Sequence, residues 1–192
     1  MLSAEDNKLL TQSGPGTVMG RVLRRYWQPL ALTAELPDER PLIDIRVLGE
    51  DLVVFRDEAG RYGALARRCA HRAGDLAYGR LEDGGLRCPY HGWLWDVAGT
   101  CLDQPAEPAD AKFCDQVRQS SYPCAERNGI VYGYLGPHAP PPLPGFDWHD
   151  APPSHCFVFK GLQHANWLQA TEGEIDPGHL SYLHRYLTDE ID

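Results

Sequence analysis

Two short cysteine–histidine pairs constrain this chain more than any other feature. They are Cys69-Ala70-His71 and Cys88-Pro89-Tyr90-His91, and sixteen residues lie between His71 and Cys88. Separations of one and two residues inside the pairs suit two tight loops, each offering one sulfur and one nitrogen. Zinc sites use the same donors, but finger-type sites pair Cys with Cys and His with His. Here each arm is mixed, as expected when one iron of a [2Fe–2S] cluster takes both Cys and the other takes both His. Gly74 behind the first pair and Gly92-Trp93 behind the second argue against four unrelated buried residues.

Around these arms the sequence reads as a small antiparallel β protein. Ser3-Ala4-Glu5-Asp6 predicts a helix start with a capping Ser and a carboxylate three residues on. That helix runs to about Gln12 and breaks at Gly14-Pro15-Gly16. A second short helix is predicted from Val18 to Trp27, with Arg21, Arg24 and Arg25 on a solvated face. From Ile43 the period changes. Ile43, Ile45 and Val47 alternate, Leu52-Val53-Val54-Phe55 follows a turn at Gly49-Glu50-Asp51, and Tyr62-Gly63-Ala64-Leu65 follows the Asp57-Glu58-Ala59-Gly60 turn. Glu82-Asp83-Gly84-Gly85 turns again, Leu86-Arg87 enters the second arm, Trp93-Leu94-Trp95 leaves it, and Ile130 to Leu135 is a closing strand. Short strands on short turns predict an antiparallel sheet and not a βαβ fold. Pro137 to Gly145, with five prolines, reads as a stiff extended linker. Beyond it, His155 to Lys160 predicts a strand and Asn166 to Glu174 a helix.

Composition narrows the partners. The formal charge is −9, from 18 basic and 27 acidic residues, which argues against nucleic acid or an anionic membrane. No apolar run approaches the length of a membrane span and no signal-peptide pattern opens the chain, so a cytoplasmic location is expected. Of six cysteines, Cys101, Cys114, Cys124 and Cys156 are scattered and read as free, mostly buried thiols. His138, His149, His155 and His164 have no motif around them and read as surface or structural. Trp27, Trp95 and Trp148 read as core or interface aromatics, and Trp93 as a shield for the cluster.

Downstream stand Asn166-Trp167-Leu168-Gln169, Glu172-Gly173, Asp176-Pro177-Gly178-His179 and His184. The pattern D-x-x-H-x4-H behind this arm pair resembles the catalytic (alpha) component of the Rieske non-haem iron aromatic-ring oxygenases. Glu5-Asp6-Asn7, Gly14-Pro15-Gly16-Thr17, Leu48-Gly49-Glu50-Asp51-Leu52, Gly84-Gly85-Leu86-Arg87-Cys88, Tyr90-His91-Gly92-Trp93 and Asn166-Trp167-Leu168-Gln169 look like the phthalate dioxygenase branch of that family. The resemblance covers nearly the whole chain. It implies a mainly β fold. An N-terminal helical lead (1–40) precedes an antiparallel Rieske [2Fe–2S] domain (41–136). The linker (137–145) then leads into the start of an incomplete α+β catalytic domain (146–192).

The resemblance also implies two cofactors: a Rieske cluster on Cys69, His71, Cys88 and His91, and a mononuclear Fe(II). His179 and His184 would be two ligands of a facial His-His-carboxylate iron site whose open face takes O2 beside the substrate. Asp176 would not be a ligand. It would link His179 to His91 of the partner subunit in a ring-like homotrimer, as a route for an electron. The implied partners are an NAD(P)H-dependent reductase of flavin or ferredoxin type, O2 and an aromatic acid or ether to be hydroxylated or demethylated. High-potential Rieske proteins join their loops by a disulfide and place a Ser behind the second arm. Gly74, Tyr90 and Trp93 stand there instead, so a potential of about −150 mV rather than about +300 mV is expected.

On an ideal helix His179 and His184 stand about 140° apart. A shared iron therefore requires a π-type distortion, or ligands reaching from two edges. Pro177-Gly178 predicts a helix start just after Asp176, with Asp176 as its cap. Gly173 departs from the family, where many relatives place Asn after the glutamate. The third ligand is expected far downstream, because Asp189, Glu190 and Asp192 sit too close in sequence. About 47 residues after the linker are fewer than a domain of ordinary size needs, so the chain is expected to be the N-terminal part of a longer oxygenase. Two other readings stay open: a stand-alone Rieske-type electron carrier using only the four cluster donors, and a non-catalytic relative.

Overall fold

In the computed structural model, which describes residues 2–108, 110 and 113–184, strands form where the apolar alternation meets tight turns. The order is α1 (Ala4–Thr11), α2 (Val18–Leu23), β1 (Trp27–Leu32), β2 (Leu42–Val47), β3 (Glu50–Arg56) and β4 (Tyr62–Ala66). Then come β5 (Arg80–Glu82), β6 (Gly85–Arg87), β7 (Leu94–Trp95), β8 (Cys101–Asp103), β9 (Ser121–Tyr122), β10 (Cys124–Arg127) and β11 (Ile130–Tyr134). Two helices follow, α3 (Trp167–Ile175) and α4 (Leu180–Leu183). Three sheets result, ordered β1-β11-β10, β2-β3-β4-β9 and β5-β6-β7-β8, and their pairings are antiparallel. The mainly β, antiparallel expectation holds. Among the described residues no helix is long and apolar enough to cross a membrane.

Hairpin geometry follows from the turn residues. Asp83-Gly84 joins β5 to β6 and Asn128-Gly129 joins β10 to β11, each with both residues at positive φ. Such two-residue turns match the twist of the strands they connect. The turn before β3 is Leu48-Gly49, one residue earlier than expected, because Glu50 and Asp51 already pair with Val47 and Arg46.

The chain divides into two compact units, residues 13–160 and residues 1–12 with 161–192. In the first, β3 is buried on both faces. Val53 and Phe55 enter a core with Leu65, Leu76, Leu86, Trp93 and Trp95, which also contains Cys69 and Cys88. Leu52 and Val54 enter a second core with Leu30, Leu36, Val131 and Leu135. Each such side chain contributes about 1.5–3 kcal/mol by leaving water. In the second unit, Ser3 caps α1 by accepting from the Asp6 N–H, as expected, and Asn166 caps α3 in the same way. The Trp167 Nε1–H donates to the Leu10 carbonyl at 3.0 Å.

Four local expectations need correction. The second helix stops at Leu23, and Trp27 opens β1 opposite Tyr134; Pro29 disfavours helical backbone at Gln28. Arg24 is not on a solvated face: it donates to the Leu48 carbonyl at 2.9 Å and pairs with Glu50. His155 to Lys160 forms no strand. Its apolar run, Cys156 to Phe159, has no neighbouring strand to pair with among the described residues, and Phe157 and Phe159 are 87% and 78% exposed. The scattered cysteines are less buried than expected, since of the four only Cys101 is fully buried.

Candidate metal centre

The two arms are built on one plan. In the first, the Cys69 N–H donates to the Gly74 carbonyl at 2.9 Å and the Ala73 N–H to the Cys69 carbonyl at 2.8 Å. In the second, Cys88 N–H donates to the Trp93 carbonyl at 2.8 Å and Gly92 N–H to the Cys88 carbonyl at 3.1 Å. The fourth residue after each Cys, Ala73 or Gly92, sits in the left-handed region and turns the chain back. The first arm follows β4 and the second connects β6 to β7.

This plan sorts the donors. Cys69 and Cys88 are each 3% exposed, whereas His71 and His91 are half-buried with ring centroids 4.8 Å apart. The sulfurs lie in the core and the imidazoles at its edge. The Trp95 Nε1–H donates to Cys69 Sγ at 3.4 Å. The neighbouring Cys69 thiol holds the Cys88 thiol down to about 6 against the cost of burial, and the backbone N–H groups of Tyr90 and His91 add to this. The Cys69 thiol is pushed up by Cys88 and by burial. Burial lowers the His71 pKa, and the neighbouring His91 and Arg72 lower it further. That keeps the imidazole in the neutral form a metal needs.

Packing leaves the arms little slack. A Cβ on Gly74 would lie 2.9 Å from Cys88 Sγ and 3.0 Å from Tyr90 Cβ. The Trp93 ring stacks on His71 with centroids 4.2 Å apart and planes 3° from parallel. Trp93 is buried, and its Nε1–H has no hydrogen-bond partner among the described residues. Among the described residues, no three His, Cys, Asp or Glu side chains form a site for one metal ion. A Rieske cluster asks for two protein ligands per iron. Paired buried thiols, paired imidazoles, N–H groups aimed at sulfur and an unpartnered indole N–H all fit that group.

Each arm is braced by an arginine just ahead of it. Arg67 holds Asp75 through two bonds of 2.9 Å and Asp44 at 2.6 Å, so its carboxylate partner Asp75 is held below the usual range. Arg87 donates to the Gly92 carbonyl and to Asp103 at 2.7 Å each, and to Asp83 at 3.2 Å and Glu82. Gln119 completes the frame: it accepts from the Ala70 N–H at 2.7 Å and donates to the carbonyls of Ala66 and Arg68 at 2.7 and 2.9 Å.

Sequence reasoning missed these braces. Acidic residues flanking Arg87 were a usable signal for it, but nothing local marks Gln119. Gln119→Ala leaves three backbone groups without partners and is expected to lower stability by about 2 kcal/mol. In thermal melts this reads as a drop of about 4–8 °C; an unchanged midpoint would show that water replaces the side chain at no cost.

The second set of predicted residues lies in the other unit. Asp176 closes the C-terminal end of α3 and accepts from the Gly178 N–H at 2.8 Å. It is not the cap of the next helix, whose N-cap is His179, because Pro177-Gly178 makes a separate turn. His179 Nδ1 lies 3.3 Å from Asp176 Oδ2, and the rings of His179 and His184 are 5.4 Å apart. The two histidines flank the single turn α4, so neither sits inside it and no π-distortion is involved. The expected non-ligands Asp189, Glu190 and Asp192 lie outside the described residues. Of the four unassigned histidines, His149 is buried and accepts from the Phe146 N–H, while the others are exposed.

The model of the Rieske [2Fe-2S] domain family matches residues 26–123. The chain belongs to that family. Its similarity extends past the Rieske domain. The oxygenase subunit of tert-butanol monooxygenase / tert-amyl alcohol desaturase from Aquincola tertiaricarbonis is 45% identical over 187 residues, covering 96% of this chain and 39% of the relative. The oxygenase subunit of phthalate 4,5-dioxygenase from Pseudomonas putida is 42% identical over 189 residues, covering 96% of this chain and 42% of the relative. The crystal structure of dicamba monooxygenase bound to dicamba superposes with a TM-score of 0.57 at 31% identity, over 67% of this chain and 41% of that one. This Rieske chain spans less than half the length of these relatives.

Proposed function

We propose that this chain serves in the oxygenase component of a Rieske non-haem iron system, a cytoplasmic enzyme that hydroxylates or demethylates an aromatic acid or ether. Electrons come from an NAD(P)H-dependent reductase of flavin or ferredoxin type. The observation that carries this reading is the convergence of two buried thiols and two half-exposed imidazoles from the paired arms. When bound, the [2Fe–2S] cluster relays single electrons and a mononuclear Fe(II) activates O2.

The chain's own residues prepare both sites. Cys69 and Cys88 keep the sulfur side in the core, and N–H groups from Trp95, Tyr90 and His91 stabilise negative charge there. His71 and His91 bring their edges to the surface, where a donor protein can approach. In the other unit, His179 and His184 are assigned to the Fe(II). Asp176 orients the His179 ring through its Nδ1, as carboxylates do behind metal-bound histidines. The resemblance supports a homotrimer in which Asp176 meets His91 of the partner subunit.

Anaerobic purification, iron and sulfide counts and EPR of the reduced protein test this. Two irons and two sulfides with a Rieske signal are expected from the first site. Iron above two per chain that is lost in a His179→Ala/His184→Ala variant would assign the second site. Two irons that persist unchanged in that variant would leave the chain as an electron carrier. The absence of a Rieske signal would overturn the cluster assignment.

A further inference from the structure

Apart from the candidate metal donors, one more pair of cysteine sulfurs is brought together among the described residues. Cys101, the first residue of β8, and Cys114, in the 3-10 turn Phe113–Gln116, place their Sγ atoms 2.7 Å apart, and both are free thiols. A disulfide bond measures about 2.05 Å, so joining the two needs a movement below about 1 Å. The pair is unequal. Cys101 is 7% exposed, in the core that contains Cys69 and Cys88, and Cys114 packs at its edge, half-buried. Burial above all, and then contact with Cys114, push the Cys101 thiol up to about 12. Cys114 is therefore the accessible sulfur that reacts first, and Cys101 is the buried sulfur that resolves the product.

We propose that Cys101 and Cys114 form a reversible dithiol–disulfide site that exchanges with low-molecular-weight disulfides such as glutathione disulfide. The Cys114 thiolate attacks one sulfur of the reagent, its S–S bond breaks, and one glutathione leaves as thiolate. Cys101 Sγ then attacks the Cys114 sulfur, and its proton goes to the second departing glutathione. One S–S bond replaces another: the two protein thiols lose two electrons and glutathione disulfide gains them.

The bond ties β8 to the turn beside the metal centre. Phe113 packs edge-on against Trp93, which stacks on His71. Cys101 pairs across the sheet with Trp95, the indole that donates to Cys69 Sγ. Oxidation thus staples the segment that covers the Trp93 side of the site.

The test uses the full chain with its cluster loaded, equilibrated anaerobically in glutathione buffers from reducing to oxidising. Free thiols are alkylated with iodoacetamide, the chain is digested with trypsin and the peptides are read by mass spectrometry. Cleavage after Lys112 puts Cys101 and Cys114 in separate peptides. The expected result is that both sites lose alkylation together and that a linked pair appears, lighter by two hydrogens and split by dithiothreitol. Alkylation of Cys124 and Cys156 should stay constant. Cys114→Ser should abolish the link, and Cys101→Ser should leave glutathione trapped on Cys114. Cys114→Ser, at the half-buried edge, carries the test on its own if the core variant fails to fold. Full alkylation of both thiols at the most oxidising poise, a wild-type chain that stops at glutathionylated Cys114, or a link to Cys69 or Cys88 would each overturn the proposal.

Discussion

Cys88→Ala is expected to remove the Rieske EPR signal and both irons together. With that sulfur gone, one iron keeps a single protein ligand, and the cluster is held at its second arm by His91 alone. Cys124→Ala is the matched control. The Cys124 thiol is also screened from water, its pKa pushed up to about 12 by burial, but its sulfur faces the Tyr122 carbonyl and no arm. Iron, sulfide and EPR signal should survive that substitution intact. Because Cys69 and Cys88 lie in the core of residues 13–160, metal binding and folding are expected to be coupled, with the loaded protein melting above the cluster-free one. Cys88→Ala retaining two irons and an unchanged signal would mean that the donors lie elsewhere.

The second large effect is expected at Arg87. Its guanidinium is nearly buried and ties three carboxylates to the Gly92 carbonyl at the back of the second arm. Arg87→Met keeps most of the packing volume but leaves Glu82, Asp83 and Asp103 facing each other. Breaking a fully buried pair costs about 3–5 kcal/mol. The carboxylates here are 36–74% exposed, which reduces the expected loss to about 2–3 kcal/mol. Urea unfolding should report that loss, and the cluster should bleach faster because the turn that positions His91 loses its brace. Arg87→Lys should rescue only part, since an ammonium cannot span four acceptors with a planar fork. A variant with native stability and native cluster lifetime would show that the bracing network contributes nothing.

The legible and illegible parts of this chain divide by range. The arms were legible because each needs only six consecutive residues: a Cys, a His one or two positions beyond the next residue, and a chain-reversing position before the closing carbonyl. The hairpins were legible for the same reason, with Asp83-Gly84 marking its own turn. Helix starts at Ser3 and Asn166 announce themselves through a side chain that caps the third N–H along. The errors arose where a local pattern was outvoted from afar. His155 to Lys160 carries a short apolar run, Cys156-Phe157-Val158-Phe159, as a strand can, yet a strand exists only with a neighbour to bond. Arg24 reads as a surface residue until β2 and β3 bring the Leu48 carbonyl and Glu50 to it. Asp176 looks like a helix cap, but Pro177-Gly178 spends the turn before the helix begins.

By itself, the sequence determined the two Cys–His pairs, the loops that carry them and the antiparallel habit of the strands, because each depends on spacings of a few residues. Only the tertiary structure decided that the sulfurs would be buried and the imidazoles left at the edge, that Gln119 would close the first arm from 49 positions away, and that Cys101 would meet Cys114. Those outcomes depend on which distant segments share a core. Burial and long-range hydrogen bonds select that arrangement, and no local pattern of side chains records it.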